Sequence, residues 1–138
     1  MGYLVQESEL QDIYDSNKLL IRIRPNSEMI EKSISVNNLI AAELIRIKPE
    51  RRSFKIESVF NKVIMNLPDK CIIRDIDVLF NPNYNIDVMK ILVFVYKQKH
   101  FELLWGGSLQ DDWLIYSHDG YKDYNVYDVK NYDVIVIK

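Results

Sequence analysis

Short apolar segments alternate with amphipathic segments of helical period along the chain, and this alternation limits the folds open to it. Strands are predicted at 18–24, 33–37, 100–105, 113–117 and 133–137, and at the start of 71–80. Helices are predicted at 3–16, 38–47, 55–66 and 87–97, with one helical turn at 27–32. Because strands that alternate with helices build parallel sheets, we expect a three-layer, Rossmann-like α/β sandwich with a mostly parallel sheet. A short hairpin is expected near residues 105–116, whereas the strand order does not follow from the pattern.

Length and composition favour one cytoplasmic domain over residues 1–138. The apolar runs contain a charge or end well short of the roughly 20 residues that a bilayer span needs, so no membrane contact is expected. Cys71 is the single cysteine, which excludes a disulfide framework and a paired-cysteine zinc site. The net charge of −2 does not favour DNA binding by bulk electrostatics. No cofactor or metal is expected.

The segment after the first strand is where a nucleotide-binding protein of this class would hold phosphate. Ligands of parallel α/β sheets bind beyond the carboxyl ends of the strands. A P-loop there would need two glycines and a lysine, because the glycines let backbone N–H groups wrap the phosphates. This chain has no glycine between Gly2 and Gly106. The phosphate-binding loop is therefore missing, and hydrolysis of ATP or GTP is not expected.

A second candidate position follows the apolar run that begins at Cys71, which ends in Asp75 and Asp77. Aspartates in this position hold magnesium in nucleoside triphosphatases. An aspartate after a strand is also a common cap or turn residue, and the sequence leaves both interpretations open. Without the phosphate loop, however, a magnesium ion here would have no polyphosphate to bridge.

Besides the two aspartates, the order of several segments along the chain is informative. The set consists of 71–80, the Asn81-Pro82 turn, the apolar helix at 87–97, the strand closed by Leu104-Trp105-Gly106-Gly107, Leu114-Ile115-Tyr116 and residues 118–127. In this order the chain resembles the BrxF family, small P-loop proteins encoded in type 3 BREX clusters that defend bacteria against bacteriophages. The resemblance extends over roughly residues 33–138 and includes Leu44 and the Arg51-Arg52 connection.

The resemblance implies a P-loop NTPase-like fold in which Asp75 matches the Walker B aspartate. Asp77 stands where a second acidic residue often follows, and Trp105 matches a tryptophan that closes the next strand. Since the glycine-rich loop is replaced by the segment from Leu20 to Ser33, the chain is expected to be a degenerate member without hydrolytic activity. What the resemblance implies is the scaffold and a role among the protein subunits of a DNA-targeting defence assembly, with self-association left open.

Two surfaces are candidates for contact with a partner. The first is a basic cluster, opposed only by Glu50, that suits an anion, nucleic acid or acidic protein, or is simply solvated: Arg46, Lys48, Arg51, Arg52 and Lys55. The second is an acidic, tyrosine-rich region that suits a protein interface or packs in part against the sheet: Tyr116, Tyr121, Asp123, Tyr124 and Tyr127. We expect the tyrosine-rich region to contain more of the partner surface than the basic cluster.

Three functions remain open at this point. The first is a non-catalytic subunit that acts through protein–protein contacts. The second is a nucleotide-binding enzyme in which Arg22 or Arg24 replaces the P-loop lysine, since an arginine fork binds phosphate without glycines. The third is a nucleic-acid-binding module that uses the basic cluster. In addition, the Trp105-Gly106-Gly107-Ser108 segment either exposes N–H groups to an anion or forms a tight turn.

Overall fold

The structure is a computed structural model that describes residues 1–12 and 17–138. Its strands are β1 (Tyr3–Val5), β2 (Leu19–Arg22), β3 (Ile34–Ser35), β4 (Ile72–Arg74), β5 (Glu102–Leu104), β6 (Ser108–Gln110), β7 (Trp113–Tyr116), β8 (Asn125–Asp128) and β9 (Val134–Ile137). Six of them form one sheet in the order β1-β9-β2-β5-β4-β3, and every pair in it is parallel. The predicted α/β class with a mostly parallel sheet is therefore confirmed.

The helices are α1 (Ser27–Lys32), α2 (Asn37–Leu44), α3 (Arg52–Met65) and α4 (Val88–Gln98). Side chains that accept from backbone N–H groups begin two of them, since Asn26 Oδ1 accepts from Met29 and Asp87 Oδ1 accepts from Lys90. Within residues 1–12 and 17–138, no helix has both the length and the apolar character needed to cross a bilayer.

The larger core lies between the sheet and the last three helices. Ile21 of β2 stands opposite Leu103 of β5 and Val136 of β9 in the sheet, and all three side chains are buried. Phe60 of α3 and Leu92 of α4 belong to the same cluster. The apolar face predicted for the helix at 55–66 packs here, because its spacing of three and four residues places it on one side of α3.

The alternate residues of the central strands face the other side of the sheet. Val5, Ile135 and Ile137 form a second, smaller buried cluster there, with Leu10 and Leu20 packed against it. Side chains of a strand alternate between the two faces, so β9 contributes to both clusters. Part of this second face is thus covered by the 3-10 helix at Glu7–Asp12.

The N-terminal segment differs from the prediction of a helix at 3–16. Residues Tyr3–Val5 form the edge strand β1, which pairs with β9, and a 3-10 helix follows at Glu7–Asp12. The apolar side chains are too few to bury a helical face, whereas pairing with β9 satisfies the backbone and buries Val5. Residues 13–16 of the predicted helix lie outside the described part of the chain.

The expected hairpin is present and is part of a small antiparallel sheet of order β6-β7-β8. Its third strand, β8, falls in the connection for which no strand was predicted. The Asp- and Tyr-rich sequence of β8 lacks a clear apolar alternation, and only Tyr127 among its four residues is buried. Pairing with β7, rather than local pattern, forms this strand.

Candidate functional site

A cleft lies beyond the carboxyl ends of three neighbouring strands, β2, β5 and β4, at the edge where parallel α/β sheets bind ligands. Its volume is about 310 Å³. The residues after each strand, the hairpin and α1 all contribute to its lining, which includes Pro25, Ile30, Arg74, Asp75, Asp77, Phe80, Trp105 and Tyr116. The structure therefore brings Asp75 and Asp77 together in one cleft.

Each of the two aspartates already has a protein partner. Asp75 follows β4 with a positive φ of 60° and forms an ion pair with the neighbouring Arg74, whose Nε donates to Ser33 Oγ at 2.9 Å. Asp77 Oδ1 accepts from the Tyr116 hydroxyl at 2.6 Å. Asp77 therefore links the end of β4 to the hairpin, whereas Asp75 pairs only with its neighbour in the chain.

Tyr116 joins the small sheet to the end of the parallel sheet. Its ring stacks on Phe80 with the centroids 3.7 Å apart and the planes 5° from parallel, and Trp105 meets it edge-on. Burial, and to a lesser degree the hydrogen bond to Asp77, raise the pKa of the Tyr116 phenol above its usual range. One side of the cleft is therefore an aromatic wall that ends in a neutral hydroxyl.

This hydroxyl predicts how stability depends on pH. A phenol with a raised pKa in the folded chain stabilises it fully below the unfolded pKa of about 10, and this contribution falls as the pH rises further. The free energy of unfolding, measured in urea from pH 8 to 11, should therefore fall less steeply for Tyr116→Phe than for the wild type. Solvent screening limits the difference to about 1 kcal/mol or less at pH 11.

Tyr121→Phe is the control for the substitution itself, because it removes the hydroxyl of an exposed ring. It should leave the free energy of unfolding at pH 8 within about 0.5 kcal/mol of the wild type. Parallel curves for wild type and Tyr116→Phe would mean that the phenol is neither buried nor bonded to Asp77 in solution as it is in the structure.

Two carboxylates form ion pairs with the arginine at the carboxyl end of β2. Arg22 is only 8% exposed, and its Nη1 donates to both carboxylate oxygens of Glu7 at 3.0 and 2.8 Å. Its Nε donates to Glu102 Oε1 at 3.1 Å. Arg24 is exposed and lines a separate, smaller cavity of about 140 Å³. Of the two arginines considered as substitutes for a P-loop lysine, Arg22 is thus engaged by carboxylates.

The basic cluster divides into one structural arginine and four exposed cations. Arg52 Nε donates to the carbonyls of Leu44 and Ile47, both at 3.0 Å, and so satisfies acceptors at the end of α2. The exposed members are Arg46, Lys48, Arg51 and Lys55. Sequence reasoning missed two apolar neighbours, Ile45 and Phe54, which are 76% and 84% exposed. The signal for Phe54 was its position off the apolar face of α3.

Most side chains of the tyrosine-rich region are buried or half-buried, and Tyr121 is the exposed one. Tyr127 is 6% exposed and meets Trp105 edge-on, and Tyr116 lies in the cleft. Tyr124 is half-buried, and Asp123 Oδ1 accepts from Ser117 Oγ at 2.6 Å. Tyr121 is the most exposed of these rings, at 64%. Of the two interpretations left open for this region, packing describes Tyr116 and Tyr127.

The segment from Trp105 to Ser108 is the entry to the hairpin. Trp105 Nε1 donates to the carbonyls of Ser108 and Ile115, both at 3.2 Å. Gly107 lies against Ile115, since a Cβ added there would stand 1.9 Å from the carbonyl oxygen. The tight-turn interpretation therefore applies to this segment.

Neither a metal site nor a reactive thiol is formed by the described residues. Among residues 1–12 and 17–138, no group of three or more His, Cys, Asp or Glu side chains is arranged to hold a metal ion. Cys71 is a half-buried free thiol, and burial raises its pKa, which disfavours the nucleophilic thiolate.

The fold and site define an α/β protein with a six-stranded parallel sheet and a partnered pair of aspartates at its carboxyl edge. In comparisons with protein-family models, curated proteins and solved structures, nothing matches this chain.

Proposed function

We propose that this chain is a non-catalytic, P-loop-like subunit that acts through protein–protein contacts. Its setting is a bacterial anti-phage complex of the BREX type or a related DNA-modification complex, as the resemblance to the BrxF family implies. The observation that carries the non-catalytic part is the pairing of Arg22 with Glu7 and Glu102 at the end of β2. Arg22 is one of the two arginines that could replace the P-loop lysine, and Arg24, the other, stays exposed.

The connection from β2 to α1 supports this proposal by its shape as well as its charge. A phosphate-binding loop wraps the phosphates with backbone N–H groups and ends in the first turn of a helix. Here four residues, 23–26, join β2 to a six-residue helix, and none of them is glycine. Beside this connection Glu7 pairs with Arg22, so the charge of that arginine is already compensated within the protein.

The aspartates of the cleft are the second part of the fit test. A Walker B aspartate must be free to hold magnesium next to a bound polyphosphate. Asp75 is paired with Arg74, and Asp77 accepts the Tyr116 hydroxyl. Both carboxylates therefore already have protein partners, which supports a structural use over a magnesium–nucleotide site.

Co-purification tests the role as a subunit. A tagged chain, expressed from its own genomic neighbourhood and purified at about 0.15 M salt, should elute with neighbouring gene products in a constant ratio. The matched control is the same tagged chain expressed without those neighbours. Elution of a single monomeric species in both preparations would contradict the proposed function.

A further inference from the structure

The corner between α2 and α3 presents apolar surface to water. We call residues 45–55 the α2–α3 corner. Phe54 in the first turn of α3 is the most exposed large apolar side chain among the described residues, and Ile45 follows directly after α2. Arg52 connects the two sides of the corner through its bonds to the carbonyls of Leu44 and Ile47. The exposed ring and the aliphatic side chain are thus held on a fixed backbone.

Four exposed cations lie in the same stretch of chain as these two apolar side chains. Within the described part of the chain, no carboxylate forms an ion pair with Arg46, Lys48, Arg51 or Lys55. The pKa of Glu43 is lowered chiefly by its hydrogen bond from Lys62, and only to a small degree by Arg46. Glu43 itself is paired with Lys62 at 2.9 Å. Glu50 is the one acidic residue within the corner. The corner therefore keeps a positive charge that the protein does not neutralise.

We propose that the α2–α3 corner docks an acidic, amphipathic segment of a partner protein. Apolar side chains of that segment cover Phe54 and Ile45, and its carboxylates face Lys48, Arg51 and Lys55. Charge complementarity carries the choice of partner, because an exposed aromatic anchor with a rim of unpaired cations suits an apolar centre with an acidic rim. This inference rests on the proposed function and names the chemistry of the contact. It moves the partner surface from the tyrosine-rich region, where the sequence led us to expect it, to the basic cluster, because Tyr116 and Tyr127 are packed whereas Phe54 is exposed.

Nucleic acid fits the corner less well than an acidic protein segment. Single strands bind to grooves in which several aromatic side chains stack successive bases. The corner offers one ring, Phe54, and an aliphatic Ile45 that cannot stack a base.

Fluorescence anisotropy with three labelled probes tests the choice. The first probe is a helical peptide of about 18 residues with leucines at helical spacing and glutamates elsewhere. The second has glutamine in place of every glutamate, and the third is a thymidine oligonucleotide of similar charge. The acidic peptide should bind the full chain, and its affinity should fall as salt rises from about 0.05 to 0.3 M. The other two probes should bind at least about tenfold more weakly.

Two variants of the corner and one matched control locate the contact. Phe54→Ala should lower the affinity for the acidic peptide about tenfold or more. Arg51→Gln/Lys55→Gln should also lower this affinity and reduce its dependence on salt. Lys90→Gln/Phe94→Ala changes an exposed lysine and a half-exposed phenylalanine on α4 and should bind like the wild type. Circular dichroism verifies that each variant is folded.

Each other outcome overturns the inference. Absence of peptide binding, equal binding by Phe54→Ala and wild type, or tighter binding of the oligonucleotide would exclude an acidic protein segment here. Self-association that Phe54→Ala abolishes, seen by sedimentation, would assign the corner to a second copy of this chain. A co-purified complex that survives Phe54→Ala would keep the proposed function and reject this corner as its contact.

Discussion

Phe60→Ala is expected to lower the free energy of unfolding by about 3–5 kcal/mol, because it removes a large buried ring and leaves a cavity. Phe60 is fully buried on the sheet side of α3. Its ring meets Phe101 edge-on with the centroids 6.0 Å apart, so the substitution also removes an aromatic pair. Equilibrium unfolding in urea, read as a shift of the midpoint at constant slope, measures the loss.

Phe54→Ala is the matched control, since it is the same substitution on the same helix at a position that is 84% exposed. It should change the free energy of unfolding by less than about 0.5 kcal/mol. Equal losses for the two variants would mean that α3 is rotated relative to the sheet. That result would also remove the exposed ring from the α2–α3 corner.

Gly107→Ala is expected to cost about 3 kcal/mol, because a methyl group there has no space. The added Cβ would lie 1.9 Å from the Ile115 carbonyl oxygen and 2.9 Å from Trp105 Nε1. These are the two atoms joined by a hydrogen bond at the entry to the hairpin, so the strands must separate or Trp105 must move. Urea unfolding measures the loss, and the near-ultraviolet circular dichroism of the indole reports the displacement.

Gly106→Ala is the control for this close approach. A Cβ at Gly106 meets no atom within 4 Å, and its backbone is outside the left-handed region. The substitution should therefore stay within about 0.5 kcal/mol of the wild type. If Gly106→Ala were as destabilising as Gly107→Ala, backbone freedom rather than contact with β7 would be the requirement at this turn.

The parts of the fold that a local pattern determines were predictable. The helical face that contains Ile56 and Phe60 fixes how α3 packs, and the apolar run at the C-terminus is the interior strand β9. The period of the apolar residues predicts α3, and an uninterrupted apolar run is typical of a strand that is buried on both faces. Agreement of local pattern and tertiary packing is what makes such elements readable from sequence.

The elements that depend on pairing were not predictable. Tyr3–Val5 forms a strand because β9 offers it a parallel edge, and Asn125–Asp128 forms one because β7 offers an antiparallel edge. Neither segment has an apolar alternation of its own. The sheet order is non-local in the same sense, since β9 lies beside β2 across more than a hundred residues of chain.

The sequence pointed to the aspartates of the candidate site, but not to the side chains that pair with them. Asp75 and Asp77 follow an apolar run, which marks them in the sequence. The hydroxyl that donates to Asp77 Oδ1 belongs to Tyr116, a residue of the small antiparallel sheet. Likewise, Glu7 and Glu102 converge on Arg22 from distant positions. Exposure of Phe54 depends on how α3 packs, so the α2–α3 corner emerges only from the tertiary structure.

Titration calorimetry with ATP and excess magnesium tests the central claim, that the carboxyl edge of this sheet does not hold a nucleotide. The account predicts no saturable heat with ATP concentrations up to about 1 mM, and no release of phosphate. Asp75→Asn removes the carboxylate and tolerates the positive φ of this position, while Asp119→Asn on the exposed connection is its control. Magnesium-dependent binding in the micromolar range that Asp75→Asn abolishes and Asp119→Asn retains would contradict the account.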